Sequence, residues 1–293
     1  MDIPALDSSP NLDAVMQSIE RHDMTKHALD LATYGFTVVP PEKLGVDDGF
    51  VERLRNAIIK THERRHGVDI SDYKNAELDA SVVGRKAWRL LFEDQAFVDA
   101  TLNPVALSLI RFLLGRSAVL SANLWLVKPP TENKLGLHTD TPGIALGTGD
   151  IAHVVNVSWL CTDYIDADDG PTVLVPGSYR FVHGPLPHET NPIDTPFNVV
   201  PLEGKAGSLA VWHGGTWHGS VPRRRKGLRI TFVQNWMRSY MKTINRWDDA
   251  PAELLERHPE LTRILGLDSF YPYDSEPENT EGTYIVKSSD PYA

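Results

Sequence analysis

The chain of 293 residues contains one cysteine and no apolar run long enough to span a bilayer. The single cysteine, Cys161, excludes an internal disulfide and is typical of a reducing compartment. Its apolar neighbours Val157, Trp159 and Leu160 predict an inert, buried thiol and not a nucleophile. The N-terminal segment lacks the basic-then-apolar signature of a secretory signal, so we expect a cytoplasmic protein.

Basic residues are also in short supply. The 29 Lys and Arg residues against 39 Asp and Glu residues give a formal net charge of -10. A chain this acidic is not expected to bind the phosphate backbone of nucleic acids. The one basic cluster, residues 223–226, is predicted to be a solvated turn between strands. Neither nucleic acid nor a membrane is therefore expected as a partner, and a homodimer is left open.

The pattern of apolar residues changes near residue 118. Upstream of it, helical spacing predominates, with a short strand at 35–40 and a polar loop at 67–85 that we interpret as a lid over a site. Downstream, short β-type runs are separated by Gly, Pro, Asp and Asn turns, which favours a sandwich or barrel. The predicted helices span residues 12–34, 47–64, 95–101, 103–114 and 250–265, and the tail from Asp274 is expected to be partly disordered.

We predict a single domain over residues 1–293, mainly β with flanking helices, because no linker separates two apolar cores. Its expected parts are a helical region to about 117, a β core over about 118–240, and a C-terminal helix and tail over about 241–293.

The stretch His138-Thr139-Asp140 is the strongest candidate for chemistry. On an extended strand, residues two apart point to the same side, so the imidazole and the carboxylate project together. One more imidazole from a distant strand would complete a two-histidine, one-carboxylate triad, which leaves three positions open on a non-haem iron(II). A lone His-x-Asp is weak evidence by itself, because short motifs produce many false positives.

Two downstream histidines, His213 and His218, can supply the third ligand. Glycines near both permit close approach of the backbone. His218 is favoured because Ser220 and Arg229 follow it in a consistent spacing. The alternative for either histidine is a hydrogen bond to a backbone carbonyl in a turn.

Arg229 lies inside an otherwise apolar strand, residues 228–236. An unpaired guanidinium would be costly there, so it needs an anionic partner. A dicarboxylate cosubstrate fits the planar fork of arginine, and a salt bridge to a protein carboxylate is the alternative. Thr172 can donate a hydroxyl hydrogen bond to the same acid or serve as an ordinary β-branched strand residue.

Asn156 and Ser158 fall on one face of their predicted strand. Polar side chains there indicate a wet cavity, although a solvent-facing sheet surface explains them equally well. Trp125, Trp159 and Trp217 either shape an apolar pocket or belong to the core.

Several further segments match one family together with these residues. They are Gly35–Pro40, His138–Asp140, Asp169–Thr172, Pro176–Ser178, Trp217–Ser220, Arg229 and Leu261–Gly266. Over most of its length the chain therefore resembles the phytanoyl-CoA dioxygenase family of iron(II)- and 2-oxoglutarate-dependent oxygenases. The resemblance implies a double-stranded β-helix core, also described as a jelly roll or cupin-like fold.

The resemblance also implies the roles of the metal-binding candidates. Fe(II) would be held by His138, Asp140 and His218, with 2-oxoglutarate chelating the metal through its keto acid end and O2 as the oxidant. Halogenating relatives replace the carboxylate with a small residue to make room for halide. The presence of Asp140 therefore favours hydroxylation, desaturation or a related oxidation.

Arg229, helped by Ser220 and Thr172, would bind the far carboxylate of 2-oxoglutarate. The expected function is oxidation of a small organic substrate, in specialised metabolism, with release of succinate and carbon dioxide. Two alternatives belong to other classes: a jelly-roll binding protein whose metal is lost or structural, and a zinc hydrolase. The hydrolase gives no role to Arg229.

The chain departs from the family pattern at two positions. Tyr179 stands where the family usually has a histidine, a change expected to affect structure more than chemistry. Gly136 stands where some members have a glutamine that reaches the cosubstrate. The contact with the keto acid end must then come from elsewhere, and Asn123 and Lys128 are the candidates.

Overall fold

The computed structural model describes residues 10–116, 118–141, 144, 151–181 and 183–267. The tail from Asp274, predicted to be partly disordered, lies outside these residues. Within the described part, seven α-helices are present. Their bounds are α1 Pro10–Arg21, α2 Thr25–Tyr34, α3 Phe50–His66, α4 Gln95–Thr101, α5 Pro104–Leu114, α6 Ala252–Arg257 and α7 Glu260–Ile264.

Two of the predicted helices are each divided in the structure. The helix predicted over 12–34 breaks between α1 and α2, where Asp23 has a φ of 54°, a left-handed conformation that a right-handed helix cannot contain. The helix predicted over 250–265 breaks between α6 and α7 at Pro259, which has no backbone N–H and disfavours the helical conformation at His258. The remaining predicted helices are found as α3, α4 and α5, within three residues at each end.

The strands form two antiparallel sheets. The first has five strands in the order β1-β7-β4-β9-β2, and the second has four in the order β3-β8-β5-β6. Their bounds are β1 Phe36–Val39, β2 Val119–Lys128, β3 Leu135–His138, β4 Val154–Leu160, β5 Thr172–Leu174, β6 Val200–Pro201, β7 Leu209–His213, β8 His218–Ser220 and β9 Arg229–Met237.

The two faces of the five-stranded sheet have different neighbours. On β9, Ile230, Phe232 and Trp236 pack with helices α2 to α5 in the largest hydrophobic cluster. The alternate residues Arg229 and Asn235 point the other way and line a cavity. This alternation follows from the two-residue period of a strand.

The three tryptophans considered for the pocket belong to the core. Trp125 and Trp159 lie in the largest cluster, on the helix-facing side of the sheet, and Trp217 lies in a smaller cluster with Leu137 and Val173. None of the three lines the cavity, and Trp88 and Trp212 do so instead. The core alternative is therefore correct for all three.

The cavity lies between the two sheets, because both contribute to its lining. Leu174 of β5 packs against Trp212 of β7, which joins the sheets on one side. In the described part of the chain, no single helix is long and apolar enough to cross a bilayer. The bent pair α4 and α5 meets those criteria only when its two helices are taken together.

Candidate metal centre

Three side chains converge where β3 and β8 pair. His138 ends β3, His218 begins β8, and the two residues are opposite each other in the register. Asp140 follows β3 by two residues, with its Oδ1 3.5 Å from Nε2 of His138 and its Oδ2 3.3 Å from Nε2 of His218. The potential donor atoms of all three lie within 4.8 Å of one another. Two imidazoles and one carboxylate therefore face a single point.

Backbone carbonyls fix the orientation of both imidazoles. Nδ1 of His138 lies 2.9 Å from the carbonyl oxygen of Gly136, and Nδ1 of His218 lies 2.9 Å from that of Thr216. A carbonyl only accepts, so each Nδ1 carries the proton and donates it. Each Nε2 is then left with a lone pair directed at the common point, as metal-binding histidines require.

A glycine allows the two strands to come this close. A Cβ on Gly219 would collide with the carbonyl oxygen of Leu135 on β3. The close backbone approach expected beside His218 is therefore present in the structure.

Asp140 is held by the five-stranded sheet and by its own backbone. Nδ2 of Asn156 donates to Oδ2 of Asp140 at 2.7 Å, and Nδ2 of Asn235 donates to Oδ1 of Asn156 at 2.9 Å. The backbone N–H of Asp140 donates to the carbonyl of Gly214 at 2.8 Å. Asn156 and Ser158 are buried and both line the cavity, so they do not lie on a solvent-facing sheet surface.

The electrostatic environment gives the site the protonation states that a metal needs. Burial, followed by the neighbouring His218, lowers the pKa of His138 and keeps its imidazole neutral near pH 7. For Asp140, burial acts to raise the pKa, but the nearby imidazoles of His218 and His138 and the hydrogen bond from Asn156 lower it overall. A neutral imidazole beside an ionised carboxylate is ready to bind a divalent cation.

One cavity of about 720 Å³ contains this centre and extends to Arg229. The Arg229 side chain is 2% exposed, and one of its terminal nitrogens donates to the carbonyl of Gly170. Its guanidinium carbon lies 4.9 Å from the centre of the Tyr164 ring. Among the described residues, no carboxylate forms an ion pair with Arg229, and its Nε has no hydrogen-bond partner. The salt-bridge alternative is therefore not supported.

Ser220 and Thr172 border the same end of the cavity. They are opposite each other in the pairing of β8 with β5, and both line the cavity together with Arg229. Two hydroxyl groups and one guanidinium therefore face a shared volume that suits an anionic group.

The two candidates for the keto acid contact fall on different faces of β2. Asn123 is fully buried on the helix-facing side, where its Oδ1 accepts from the backbone N–H of Leu90 at 2.7 Å. It does not line the cavity, so this candidate was wrong. Lys128 does line the cavity, and it lies opposite Arg229 in the register of β2 with β9.

His213 and Tyr179 have other environments. Nδ1 of His213 accepts a hydrogen bond from the backbone N–H of Gly215 at 2.9 Å, and the His213 ring lies 4.8 Å from that of Tyr179. The hydroxyl of Tyr179 donates to the carbonyl of Ala32 in α2 at 2.5 Å. Neither residue lines the cavity, so of the two candidate histidines it is His218 that joins His138 and Asp140.

The basic cluster 223–226 is only partly a solvated turn. Residues 224–226 are exposed as predicted, but Arg223 is 5% exposed. It forms an ion pair with Asp169 at 3.1 Å and donates to the carbonyl of Gly227. The prediction was wrong for Arg223 because a carboxylate 54 positions away in the sequence provides its buried partner.

Two other predictions concern residues near the cavity or the core. From the polar loop 67–85, Ala80 and Val83 line the outer part of the cavity, as a segment over a site would. Cys161 is fully buried, and burial raises the pKa of its thiol to about 12, which makes it unreactive.

Sequence reasoning missed Asn235 and did not predict that Lys128 lies beside Arg229. Asn235 shares its strand face with Arg229, six residues earlier, so strand parity could have identified it. The proximity of Lys128 to Arg229 depends on the register between β2 and β9, which the sequence pattern does not contain.

Comparisons with known proteins identify relatives of the chain and of its fold. Dioxygenase af480 from Aspergillus fumigatus is 28% identical over 194 residues, a match that covers 65% of this chain and 61% of that protein. HygX from Streptomyces hygroscopicus, solved with nickel and 2-oxoglutarate bound, has a TM-score of 0.60 at 18% identity and covers 78% of this chain and 93% of HygX. EvdMO1 has a TM-score of 0.54 at 24% identity, and the match covers 72% of this chain but only 49% of the EvdMO1 chain.

The structural likenesses confirm the predicted jelly-roll fold with flanking helices. The sequence model of the phytanoyl-CoA dioxygenase (PhyH) family matches residues 31–231. Because that match covers well over half of its length, the chain belongs to the phytanoyl-CoA dioxygenase family.

Proposed function

We propose that this protein is an Fe(II)- and 2-oxoglutarate-dependent dioxygenase that oxidises a small organic substrate. Members of the family depend on Fe(II), 2-oxoglutarate and O2. The observation that carries the proposal is the pairing, in one cavity, of a His-Asp-His cluster with a buried arginine that has no ion-pair partner among the described residues.

The donor set fits ferrous iron. His138 and His218 would bind through Nε2 and Asp140 through its carboxylate, which leaves three positions for the cosubstrate and O2. When bound, iron(II) with 2-oxoglutarate supplies the oxidising power from O2 and releases succinate and carbon dioxide. The protein holds the metal, orients the cosubstrate and excludes water.

Arg229, Ser220 and Thr172 form the proposed site for the far carboxylate of 2-oxoglutarate. A guanidinium binds a carboxylate through two parallel charge-assisted hydrogen bonds, and each hydroxyl can donate one more. A zinc hydrolase has no use for this buried cation, and a binding protein without metal has no use for the triad. Both alternatives therefore leave part of the arrangement unexplained.

The outer part of the cavity indicates the chemical class of the substrate. Val83, Trp88, Leu124, Met237 and Ile244 line it with apolar surface. A volume of about 720 Å³ is within the usual range for small-molecule sites. We infer a substrate with a substantial apolar part, such as a specialised metabolite, and Asp140 favours hydroxylation or desaturation over halogenation.

The test is a spectroscopic titration without oxygen. Iron(II) is added to the protein and 2-oxoglutarate follows, and we expect a visible charge-transfer band only when both are present. Zinc(II) in place of iron(II) should bind and give no band. A protein that binds zinc(II) but shows no band with iron(II) and 2-oxoglutarate would contradict the proposal. Screening apolar compounds for coupled release of succinate would then identify the substrate.

A further inference from the structure

A second buried cation, Lys128, lies at the Arg229 end of the cavity. It ends β2, is opposite Arg229 in the register of β9, and is 5% exposed. Its Nζ donates to Oγ of Ser220 at 3.2 Å and to the carbonyl of Val221 at 2.5 Å. It also lies 3.4 Å from the carbonyl of Gly170, the acceptor that Arg229 uses. Two cations thus share one acceptor beside one hydroxyl.

The charges around Lys128 are not balanced by the described residues. Asp169 is the nearby carboxylate, but it is bound to Arg223 at 3.1 Å and to Arg225 at 2.9 Å. Burial raises the pKa of Tyr164, so its hydroxyl is neutral. Burial, followed by the charges of Arg229 and Arg223, lowers the pKa of Lys128 to about 7. An anion at this end would therefore interact with two cations.

We propose that Lys128 is a positioning residue for 2-oxoglutarate, acting through Ser220 on the far carboxylate and adding a second positive charge beside Arg229. A hydroxyl has one proton to donate. When the ammonium group donates to Oγ of Ser220, the hydroxyl proton remains available for the carboxylate. This role rests on the proposed function of the cavity.

The arrangement also links cosubstrate binding to proton uptake. Without the cosubstrate, Lys128 loses its proton as the pH rises through about 7. A bound carboxylate favours the charged form and raises that pKa, so binding takes up a proton above pH 7. The affinity for 2-oxoglutarate should therefore fall by about tenfold between pH 6.5 and pH 8.5.

The experiment measures 2-oxoglutarate affinity from the visible band of the iron(II)-loaded protein, without oxygen, at both pH values. Lys128→Met should weaken binding by about tenfold at pH 6.5, the loss expected for a hydrogen bond involving a charged group, and should remove the pH dependence. Lys128→Arg should retain the affinity at both pH values, because its charge is not lost. Lys134→Met, which removes another lysine from the same cavity, should behave as the wild type.

A second ligand separates the charge interaction from a structural effect. The monocarboxylate 2-oxopentanoate lacks the far carboxylate, so the wild type and Lys128→Met should bind it equally. Equal loss for both keto acids, or unchanged 2-oxoglutarate affinity in Lys128→Met at pH 6.5, would overturn the role of Lys128 and leave the oxygenase proposal intact. A wild-type protein that gives no band with 2-oxoglutarate would overturn both.

Discussion

The two faces of the five-stranded sheet differ in what their side chains contact. On β4, Val155, Val157 and Trp159 pack against the helices, whereas Asn156 and Ser158 face the cavity. The residues alternate one by one along the same backbone. Residues on the helix-facing side should therefore contribute mainly to stability, and residues on the cavity side mainly to ligand binding. Substitutions one residue apart should then change either the free energy of unfolding or the binding affinity.

The largest effect is expected from loss of a proposed metal ligand on the cavity side. His218→Ala removes one of three donors, so binding of iron(II) and the visible band with 2-oxoglutarate should both disappear. The measurement is an iron(II) titration without oxygen. His213→Ala is the matched variant and should still bind iron(II), since His213 lies outside the cluster. Iron binding that survives in His218→Ala would remove this histidine from the centre.

The next largest effect should appear on the helix-facing side. Trp159→Ala leaves a cavity in the largest hydrophobic cluster, so it should lower the free energy of unfolding by about 3–5 kcal/mol. Urea denaturation measures this loss. The neighbouring variant Ser158→Ala, on the cavity side, should change stability by less than about 1 kcal/mol. Equal destabilisation of the two variants would contradict the expectation that the helix-facing side contributes more to stability than the cavity side.

Arg229→Ala should weaken 2-oxoglutarate binding far more than iron binding. A bidentate, charge-assisted pair would be lost, which corresponds to an increase in Kd of about 100-fold. Titration of the iron(II)-loaded variant measures it, and Arg224→Ala, an exposed arginine nearby, serves as the control. Unchanged cosubstrate affinity in Arg229→Ala would remove the arginine from the site.

The smallest effect is expected at the amide that holds Asp140. Asn156→Ala removes the 2.7 Å hydrogen bond to the carboxylate, so iron(II) affinity should fall by about tenfold while the three ligands remain. Asn235→Ala, one hydrogen bond further away, should cause a smaller loss. A larger loss of iron(II) affinity in Asn235→Ala than in Asn156→Ala would contradict the idea that Asn235 supports Asp140 only through Asn156.

The parts of the site that follow local rules were predictable from sequence. His138 and Asp140 were predicted to project together from one strand, and the structure has them beside each other, with Asp140 two residues beyond the end of β3. The choice of His218 over His213 used its spacing to Arg229, and the cavity contains both His218 and Arg229. The jelly-roll fold was predicted from the family resemblance. Composition and periodicity alone favoured only a sandwich or barrel.

The parts that depend on strand register were not predictable. Lys128 lies beside Arg229, and Asn235 supports Asn156, only because β9 pairs with β2 on one side and β4 on the other. Arg223 and Asp169 form a buried ion pair across a separation that no local pattern spans. The helix predicted over 12–34 is divided at one residue, Asp23, which has a positive φ. The residue type alone does not predict that backbone conformation.

Gly219 also depends on strand pairing for its contribution to the site, although it has no side-chain donor atom. The hydrogen it carries in place of a side chain allows β8 to lie against the carbonyl of Leu135, in the strand pair that carries His138 and His218. A larger residue at position 219 is therefore expected to push the two strands, and with them the two imidazoles, apart. A search restricted to histidines and carboxylates would overlook this contribution of a residue without a donor atom.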